Sequence, residues 1–349
     1  MTIAGMIIVN TPGSWSYVYA PLRHAAWHGH HLADLVFPFF LWIMGVSMSV
    51  SFQKFKSLAS GIFYRKVIKR SLLIFLAGLL LNAFPFYDKD YETLRWMGVL
   101  QRIAVVYFFS ALAVYHLKWK ELMWLLFFIT IVYTLLLSNF GNGYELEESL
   151  LQWIDLKIIG ADHMWKGLGV PFDPEGILSS FPAMINCILG FLFGWVLFRQ
   201  QLSVKRLLAL SFIVMGLSWS MSLFQPFNKY LWTPAFAWVT SAYASCIFLM
   251  IYVMVDVRKH TIWFQPFNWL GRNPLFIFIL SIVWVKVYFR IRWEYEGDEV
   301  VNLYQFIYRE GFASIAEPYG ASFLFAFAHL LLFCWVANYL FRKEILIKM

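Results

Sequence analysis

The stretch LADLVFPFFLWIMGVSMSVSF, residues 32–52, is 21 residues long and contains one charged side chain, Asp34. About 20 mostly apolar residues are enough for a helix to cross a bilayer, so this stretch predicts a membrane-spanning helix. Eight further runs have a similar length and character; they lie near 68–86, 96–116, 119–138, 177–198, 205–224, 231–255, 267–289 and 321–341. The sequence therefore predicts an all-α fold, a polytopic transmembrane helix bundle.

A shorter apolar segment precedes these runs, near residues 2–10. About 9 residues at 1.5 Å each cover roughly 14 Å, which is less than half of a bilayer core of about 30 Å. We expect the first helix either to be truncated or to begin inside the bilayer. With it the bundle has about ten helices, which we expect to form a single transmembrane domain over 1–349.

The composition of the chain excludes a soluble class of protein. Hydrophobic residues make up 61% of the chain and charged residues 14%, whereas soluble domains carry about 25% charged residues. The three cysteines, Cys187, Cys246 and Cys334, all lie inside apolar runs, where they are typical small core residues. We therefore expect neither a disulfide framework nor a zinc site.

Basic residues alternate between successive loops. One set of segments carries 16 Lys and Arg against three acidic residues, a net charge of +13; it comprises 53–70, 117–121, 199–206, 256–262 and 342–349. The other set carries 9 basic and 16 acidic residues, a net charge of −7; it comprises 11–31, 87–95, 139–176, 225–230 and 290–320. Because loops rich in Lys and Arg stay in the cytoplasm, we place the first set inside and the second outside. This predicts a multi-pass protein of the cytoplasmic (inner) membrane, and the basic excess implies no nucleic-acid partner.

Four histidines lie within eight residues, at His24, His28, His30 and His31, shortly before Asp34. A histidine can act as a general base or a transient acyl acceptor near neutral pH, and a neighbouring carboxylate can fix its tautomer. We favour His24 for this role and expect the other three to be solvated near the lipid headgroups. A metal site formed by His24, His28 and Asp34 is an alternative that lacks further ligands, so no metal is expected.

Ionisable residues inside apolar runs are costly and are functional candidates. Besides Asp34 these are Arg102 and Arg272, each of which can hold a phosphate or a carboxylate through two nitrogens. The alternative is that they pair with Asp34 or with backbone carbonyls as structural contacts. Lys286 lies near a helix end, where its side chain can reach the interface.

Three further polar residues precede or follow the predicted helices on the outer side. Asn10 ends the first apolar segment and can point its amide into the same outer cavity as His24. Asp173 and Glu175 precede the helix predicted to start at 177, where acidic residues either cap a helix or bind an acceptor. The sequence leaves both roles open.

Several motifs resemble a known family. The stretch His24-Ala25-Ala26-Trp27-x-Gly29, followed by Ala33-Asp34-Leu35-Val36-Phe37-Pro38, is similar to the core of the heparan-alpha-glucosaminide N-acetyltransferase family and its bacterial relatives in the transmembrane acyltransferase group. The likeness extends over nearly the whole chain, through Gly98-Val99-Leu100-Gln101-Arg102, Asp173-Pro174-Glu175-Gly176-Ile177-Leu178, Asn228-Lys229-x-Leu231-Trp232 and Asn273-Pro274-Leu275. The resemblance implies transfer of acetyl from acetyl-CoA to the amino group of a terminal glucosamine across a membrane.

The resemblance also implies roles for particular residues. His24 corresponds to the essential histidine of the family and Asn10 to an important asparagine, so we assign His24, Asp34 and Asn10 to catalysis. Basic and polar side chains are expected to contact the acetyl-CoA that enters from the cytoplasm; they are Lys69, Arg70, Gln101, Arg102, Arg272 and Asn273. Residues on the outer side are expected to contact the acceptor; they are Trp27, Asp173 and Glu175.

The expected partners are acetyl-CoA, an amino-sugar or glycan acceptor and membrane lipid, and a homodimer is left open. Two alternative functions remain at this point. An O-acyltransferase acting on a cell-envelope glycan would share the topology and the histidine. A solute transporter would also carry Asp and Arg inside a bundle, but the sequence shows neither the internal repeat nor the paired broken helices that are common in transporters.

Overall fold

The computed structural model describes residues 1–52, 60–88, 90–295 and 299–347. Helices make up 70% of the described residues and strands 3%, which confirms the predicted all-α class. Some residues of the predicted loops lie outside the described ranges, among them Lys54, Lys56 and Lys348.

The α-helices are numbered here in chain order. They are α1 (Thr2–Asn10), α2 (Leu32–Ser51), α3 (Ser60–Ala83), α4 (Val99–His116), α5 (Trp119–Asn139), α6 (Leu150–Ile158), α7 (Ser180–Phe198), α8 (Val204–Met221), α9 (Pro234–Tyr252), α10 (Gln265–Arg272), α11 (Pro274–Arg290), α12 (Leu303–Tyr308) and α13 (Pro318–Arg342). Between α11 and α12, strands β1 (Arg292–Tyr295) and β2 (Glu299–Asn302) pair antiparallel, with Arg292 opposite Asn302. This short hairpin lies in the segment 290–320, which was predicted as an outer loop.

Seven described helices are long and apolar enough to cross a membrane: α2, α4, α5, α7, α8, α9 and α13. The apolar runs of the sequence predicted each of them. The run at 68–86 corresponds to α3, which begins eight residues earlier than predicted and carries Arg65, Lys66, Lys69 and Arg70 in its first half. These four charges set α3 apart from the seven helices, each of which has an 18-residue window with at most two charged side chains.

The run at 267–289 was predicted as one span, and the structure corrects this. It consists of α10 and α11, which meet at an angle of 79° when α10 is extended back to Ile262. Pro274 is the first residue of α11 and Asn273 before it has a non-helical backbone, φ −128° and ψ 54°. A proline has no N–H for the preceding turn and disfavours a helical conformation in the residue before it, so the helix breaks here.

The chain divides into two compact units. The first comprises Met1–Ala25, His31–Phe37 and Met254–Met349, and within it α1 packs against α10, α11 and α13. The second comprises Ala26–His30 and Pro38–Val253, and within it α7 packs against α4, α5 and α9. A single catalytic domain over 1–349 stays a prediction.

Within the second unit, glycines bring α2 and α7 close together. A Cβ at Gly190 would overlap the carbonyl oxygen of Trp42, and a Cβ at Gly45 would overlap that of Cys187. Small residues allow helix backbones to approach closely in membrane proteins, where packing rather than the hydrophobic effect drives association. Next to this contact the Trp42 ring lies 4.9 Å from Phe193 and 5.6 Å from Phe248, measured between centroids.

Candidate functional site

Asp34 lies in the first turn of α2, where it joins the helix start to the histidine segment. Its Oδ2 accepts hydrogen bonds from the backbone N–H of His31, at 2.9 Å, and of Ala25, at 3.0 Å. Its Oδ1 lies 2.7 Å from His24 Nδ1. The Asp34 side chain is 1% exposed, whereas that of His24 is 35% exposed. The carboxylate is thus buried while the imidazole that it holds reaches the surface.

This hydrogen bond determines the tautomer of His24. An ionised carboxylate can only accept, so Nδ1 must carry the proton that points at Asp34. In the neutral ring Nε2 then holds the lone pair, which is the form that takes a proton or attacks a carbonyl carbon. The negative charge of Asp34 also stabilises the imidazolium that forms once Nε2 is protonated. The predicted pairing of His24 with Asp34 is present.

The other three histidines have different surroundings. His31 is exposed, and its Nδ1 lies 3.0 Å from the carbonyl oxygen of Arg23. His28 is also exposed and is joined to Asn228 by a hydrogen bond of 3.3 Å. His30 is half-buried, with its ring 5.2 Å from that of Phe227, so the expectation of a solvated side chain does not apply to it.

Asn10, the third residue assigned to catalysis, is exposed at the last position of α1. None of the described hydrogen bonds joins its amide to His24 or Asp34. Its catalytic role stays a prediction.

Asp173 and Glu175 form the centre of a second polar cluster, in the turn before α7. Arg95 Nε and Nη2 donate to the two oxygens of Asp173 at 2.9 and 2.6 Å, and Nη2 also donates to Glu175 Oε2 at 2.6 Å. Asp173 is fully buried. The pKa of Arg95 is lowered by burial but raised more by these carboxylates, so it lies above its usual range and the guanidinium stays charged. α7 begins at Ser180 with no side-chain cap, so these acids bind Arg95 instead of capping the helix.

Arg102 lies beside the same turn and is completely buried. Its Nη2 donates to the carbonyl oxygen of Pro174 at 2.6 Å and to Ser179 Oγ. Its guanidinium carbon lies 4.9 Å from the ring centroid of Trp232, a cation–π contact. Nε and Nη1 have no hydrogen-bond partner among the described residues. Arg102 therefore retains two buried donors that an oxygen-bearing ligand can use.

Asp155 on α6 completes this cluster and was not singled out from the sequence. Its Oδ1 accepts the N–H of Ile177 at 3.1 Å, and a Cβ at Gly176 would overlap its Oδ2. Burial raises the pKa of Asp155 to about 7, with the charge of Asp173 adding to the effect and the Ile177 hydrogen bond opposing it. One signal for Asp155 was available, because it follows the buried Leu151 by four residues and so lies on the apolar face of α6.

Besides Arg102, three of the predicted donor ligands lie on α3 and α4. Arg70 is exposed on α3, with its guanidinium carbon 4.7 Å from the ring centroid of Tyr107 on α4. Lys69 is exposed beside it. Gln101 is buried next to Gly98, and its Nε2 has no hydrogen-bond partner in the described part of the chain.

Two other predicted donor ligands, Arg272 and Asn273, lie in the first unit. The guanidinium carbon of Arg272 lies 4.8 Å from the ring centroid of Phe341. The amide of Asn273 donates to the carbonyl oxygen of Ile345 at 2.9 Å and accepts from the N–H of Ile347 at 2.8 Å. These contacts give Asn273 a structural role in holding the segment after α13.

Trp27, predicted to contact the acceptor, belongs to an apolar cluster in the second unit. Its ring stacks on Tyr230 at a centroid distance of 5.3 Å and meets Phe172 edge-on at 5.6 Å. Its Nε1 donates to the carbonyl oxygen of Tyr144 at 2.9 Å. The side chain thus ties the segment 26–30 to the loop 139–176.

Within the described ranges no three His, Cys, Asp or Glu side chains come together in a way that could hold a metal ion. Asp34 is one of the three residues of the alternative metal site. Its carboxylate already accepts three hydrogen bonds.

Comparisons with known proteins agree with the motifs. A family model described as heparan-alpha-glucosaminide N-acetyltransferase, catalytic, matches residues 1–207, which include His24, Asp34 and Arg102. The heparan-alpha-glucosaminide N-acetyltransferase of Homo sapiens is 26% identical over 84% of this chain and 53% of its own length, and that of Mus musculus is 24% identical over the same shares. The chain thus spans about half the length of these relatives. The family model matches more than half of the chain and so confirms the resemblance. This protein therefore belongs to the heparan-alpha-glucosaminide N-acetyltransferase catalytic family.

Proposed function

We propose that this protein is a membrane-bound acetyltransferase that moves acetyl from acetyl-CoA, taken from the cytoplasmic side, to the amino group of a glucosamine-type sugar at the outer face. The observation that carries the proposal is the 2.7 Å contact between His24 Nδ1 and the buried carboxylate of Asp34. Membership of an N-acetyltransferase family supports the reaction type. The names of the human and mouse relatives support an amino sugar as the acceptor.

His24 has the form that acyl transfer to an amine requires. In direct transfer, the amine forms a C–N bond to the thioester carbonyl carbon, the C–S bond breaks, and His24 Nε2 takes the proton that the amine loses. In a two-step route, Nε2 itself attacks the carbonyl carbon, the C–S bond breaks and coenzyme A leaves as the thiolate. The amine then displaces the acetyl group from the imidazolium, and the proton that the amine loses passes to Nε2. Asp34 serves both routes, because each passes through a positively charged ring.

The donor carries several phosphates, which require cations that are not already paired with acids. Arg70 and Arg102 fit this requirement, since neither makes an ion pair with a carboxylate among the described residues. Two buried nitrogens of Arg102 and the Nε2 of Gln101 can donate to oxygens of the donor. We assign Arg70, Arg102 and Gln101 to donor binding, with Arg70 at the phosphates; Lys69 is not included.

In this proposal, the residues predicted to contact the acceptor have an indirect role: they hold neighbouring residues in position. Asp173 and Glu175 hold Arg95, and Trp27 binds Tyr144, so each of them positions the outer loop. A sugar ammonium that bound Asp173 directly would have to displace Arg95 from a buried pair, which is costly.

The test of this function compares His24→Ala with His31→Ala. The protein is purified in mild detergent and given labelled acetyl-CoA with glucosamine, and N-acetylglucosamine serves as an acceptor whose amine is blocked. A general base or acyl acceptor contributes roughly 10² to 10⁴ in rate, so His24→Ala should lose that factor. His31→Ala should retain most of the activity, because Asp34 binds the backbone N–H of His31 and this is unchanged.

Thermal unfolding of both variants separates loss of catalysis from loss of folding. Near-normal turnover in a folded His24→Ala protein would contradict the mechanism. Acetylation of N-acetylglucosamine at the rate seen with glucosamine would favour the O-acyltransferase alternative.

A further inference from the structure

A shallow groove opens on the protein surface between α3 and α4. Its volume is about 250 Å³, and its walls include Ile68, Leu72 and Phe75 from α3 and Ala104, Val105 and Phe108 from α4. Seven of its eight lining residues are apolar, and Ser71 supplies the one hydroxyl group. Both helices belong to the same compact unit, so the groove is a property of that unit.

Two cations lie at one end of this groove. Arg65 precedes Ile68 by three residues and Leu72 by seven, so the three side chains share one face of α3. Lys69 precedes Leu72 by three residues and lies at the edge of that face. Both cations are exposed, and within the described ranges neither makes an ion pair with a carboxylate. The groove is thus apolar along its length and positively charged at one end.

The chemistry of a bilayer decides what can occupy such a groove selectively. An acyl chain gains no hydrophobic free energy by moving from lipid into an apolar protein surface, so the chain alone selects nothing. Basic side chains near the membrane surface do attract anionic headgroups, and basic pockets between membrane helices bind them. Long basic side chains also extend along apolar surface to reach the headgroup level.

We propose that this groove binds one anionic phospholipid, with an acyl chain lying between α3 and α4 and the phosphate at Arg65 and Lys69. The remainder of the lipid stays in the bilayer. The charge at one end orients the molecule, and the apolar walls hold its chain.

The test uses native mass spectrometry of the full chain in mild detergent, titrated with phosphatidylglycerol or phosphatidylethanolamine of identical acyl chains. Phosphatidylglycerol should bind one site more tightly than phosphatidylethanolamine. Arg65→Gln and Lys69→Gln should each weaken phosphatidylglycerol binding roughly fivefold, as expected for loss of one cation near an anionic headgroup. Leu72→Trp, which fills the groove, should weaken binding of both lipids.

Matched control variants show whether a change in lipid binding comes from the groove or from a general change in charge or side-chain size. Lys205→Gln with Arg206→Gln removes two exposed cations at the start of α8, and Leu80→Trp adds a ring to an exposed position of α3 beyond the groove lining. These variants should bind both lipids as the unaltered protein does. Thermal unfolding of each variant confirms that it is folded.

Three results would overturn the proposal. One is unchanged phosphatidylglycerol affinity in folded Arg65→Gln, Lys69→Gln and Leu72→Trp proteins. Another is release of the bound lipid by acetyl-CoA, which would assign these cations to the donor. The third is a dimer that Leu72→Trp dissociates while lipid affinity stays the same, which would assign the groove to a second copy of the chain. Lipid binding is measured without acetyl transfer, so the outcome is independent of the proposed enzymatic function.

Discussion

Asp34 shows how one side chain can combine helix capping with the orientation of a base. Its position in the first turn of α2 places a negative charge at a helix N-terminus, where the dipole favours it. One oxygen accepts the backbone N–H groups of Ala25 and His31, and the other binds His24. Because the carboxylate is held by the backbone, the imidazole that it orients has a defined position.

The buried carboxyl group of Asp155 leads to a prediction of how the stability of the protein depends on pH. Burial raises its pKa in the folded protein to about 7 from an ordinary value of 3.8. Between these two values the unfolded chain loses a proton that the folded chain retains, so its contribution favours folding below about pH 4 and is lost as the pH rises to about 7. This difference in pKa corresponds to a contribution of at most about 4 kcal/mol to the free energy of unfolding. We expect Asp155→Asn to reduce the loss of thermal stability between pH 5 and pH 8.

The control for this measurement is Asp162→Asn, which alters an exposed carboxylate in the same segment, 139–176. It should lose as much stability between pH 5 and pH 8 as the unaltered protein. Other groups titrate equally in all three proteins, so the comparison isolates Asp155. Identical pH dependence in Asp155→Asn and the unaltered protein would mean that this carboxyl is ionised throughout.

At the scale of elements, the contact between α2 and α7 depends on the absence of side chains at particular positions. Gly190 and Gly194 are four residues apart, on one face of α7, and both meet α2. A Cβ at Gly190 would meet backbone, which cannot move aside as a flexible side chain can. The remainder of α2 packs through Trp42 and Val46 against neighbouring apolar side chains.

We therefore predict that Gly190→Ala destabilises the protein, by roughly 1–3 kcal/mol as for other overpacked sites. Gly216→Ala on α8 is the matched control, because no atom lies within 4 Å of the Cβ it would add. That variant should be unchanged or slightly more stable, since alanine favours the helix. The apparent melting temperature in detergent measures both. Equal melting temperatures for the two variants would show that α2 can move away from α7 without loss.

At the scale of the whole molecule, the distribution of loop charge predicts how the chain is inserted. Single cysteines are introduced at Ser16 and at Ser60 after Cys187, Cys246 and Cys334 are replaced. An impermeant thiol reagent should label position 16 in intact cells and position 60 only after the membrane is opened, because +13 of loop charge is assigned to the cytoplasm and −7 to the outside. Labelling of position 60 but not of 16 in intact cells would reverse the topology.

Local composition was enough to predict the class of fold and the position of most helices. Spanning a bilayer depends on the length and polarity of a continuous segment, so α2, α4 and α5 could be predicted from local composition. The pairing of His24 with Asp34 was also predictable, because ten residues separate them and a family motif contains both.

The clusters formed by residues far apart in the sequence are seen only in the tertiary structure. Arg95 binds Asp173 and Glu175 across 78 and 80 residues of sequence, and Arg95 had no local signal beyond being a cation in an acidic loop. The amide of Asn273 likewise binds a backbone segment more than 70 residues away, which gave a predicted donor ligand a structural role. Asp155 acquires its raised pKa from burial, which depends on how the segment 139–176 packs. Such contacts and burial form only when distant elements pack together. They therefore cannot be read from the composition or the spacing of a single segment.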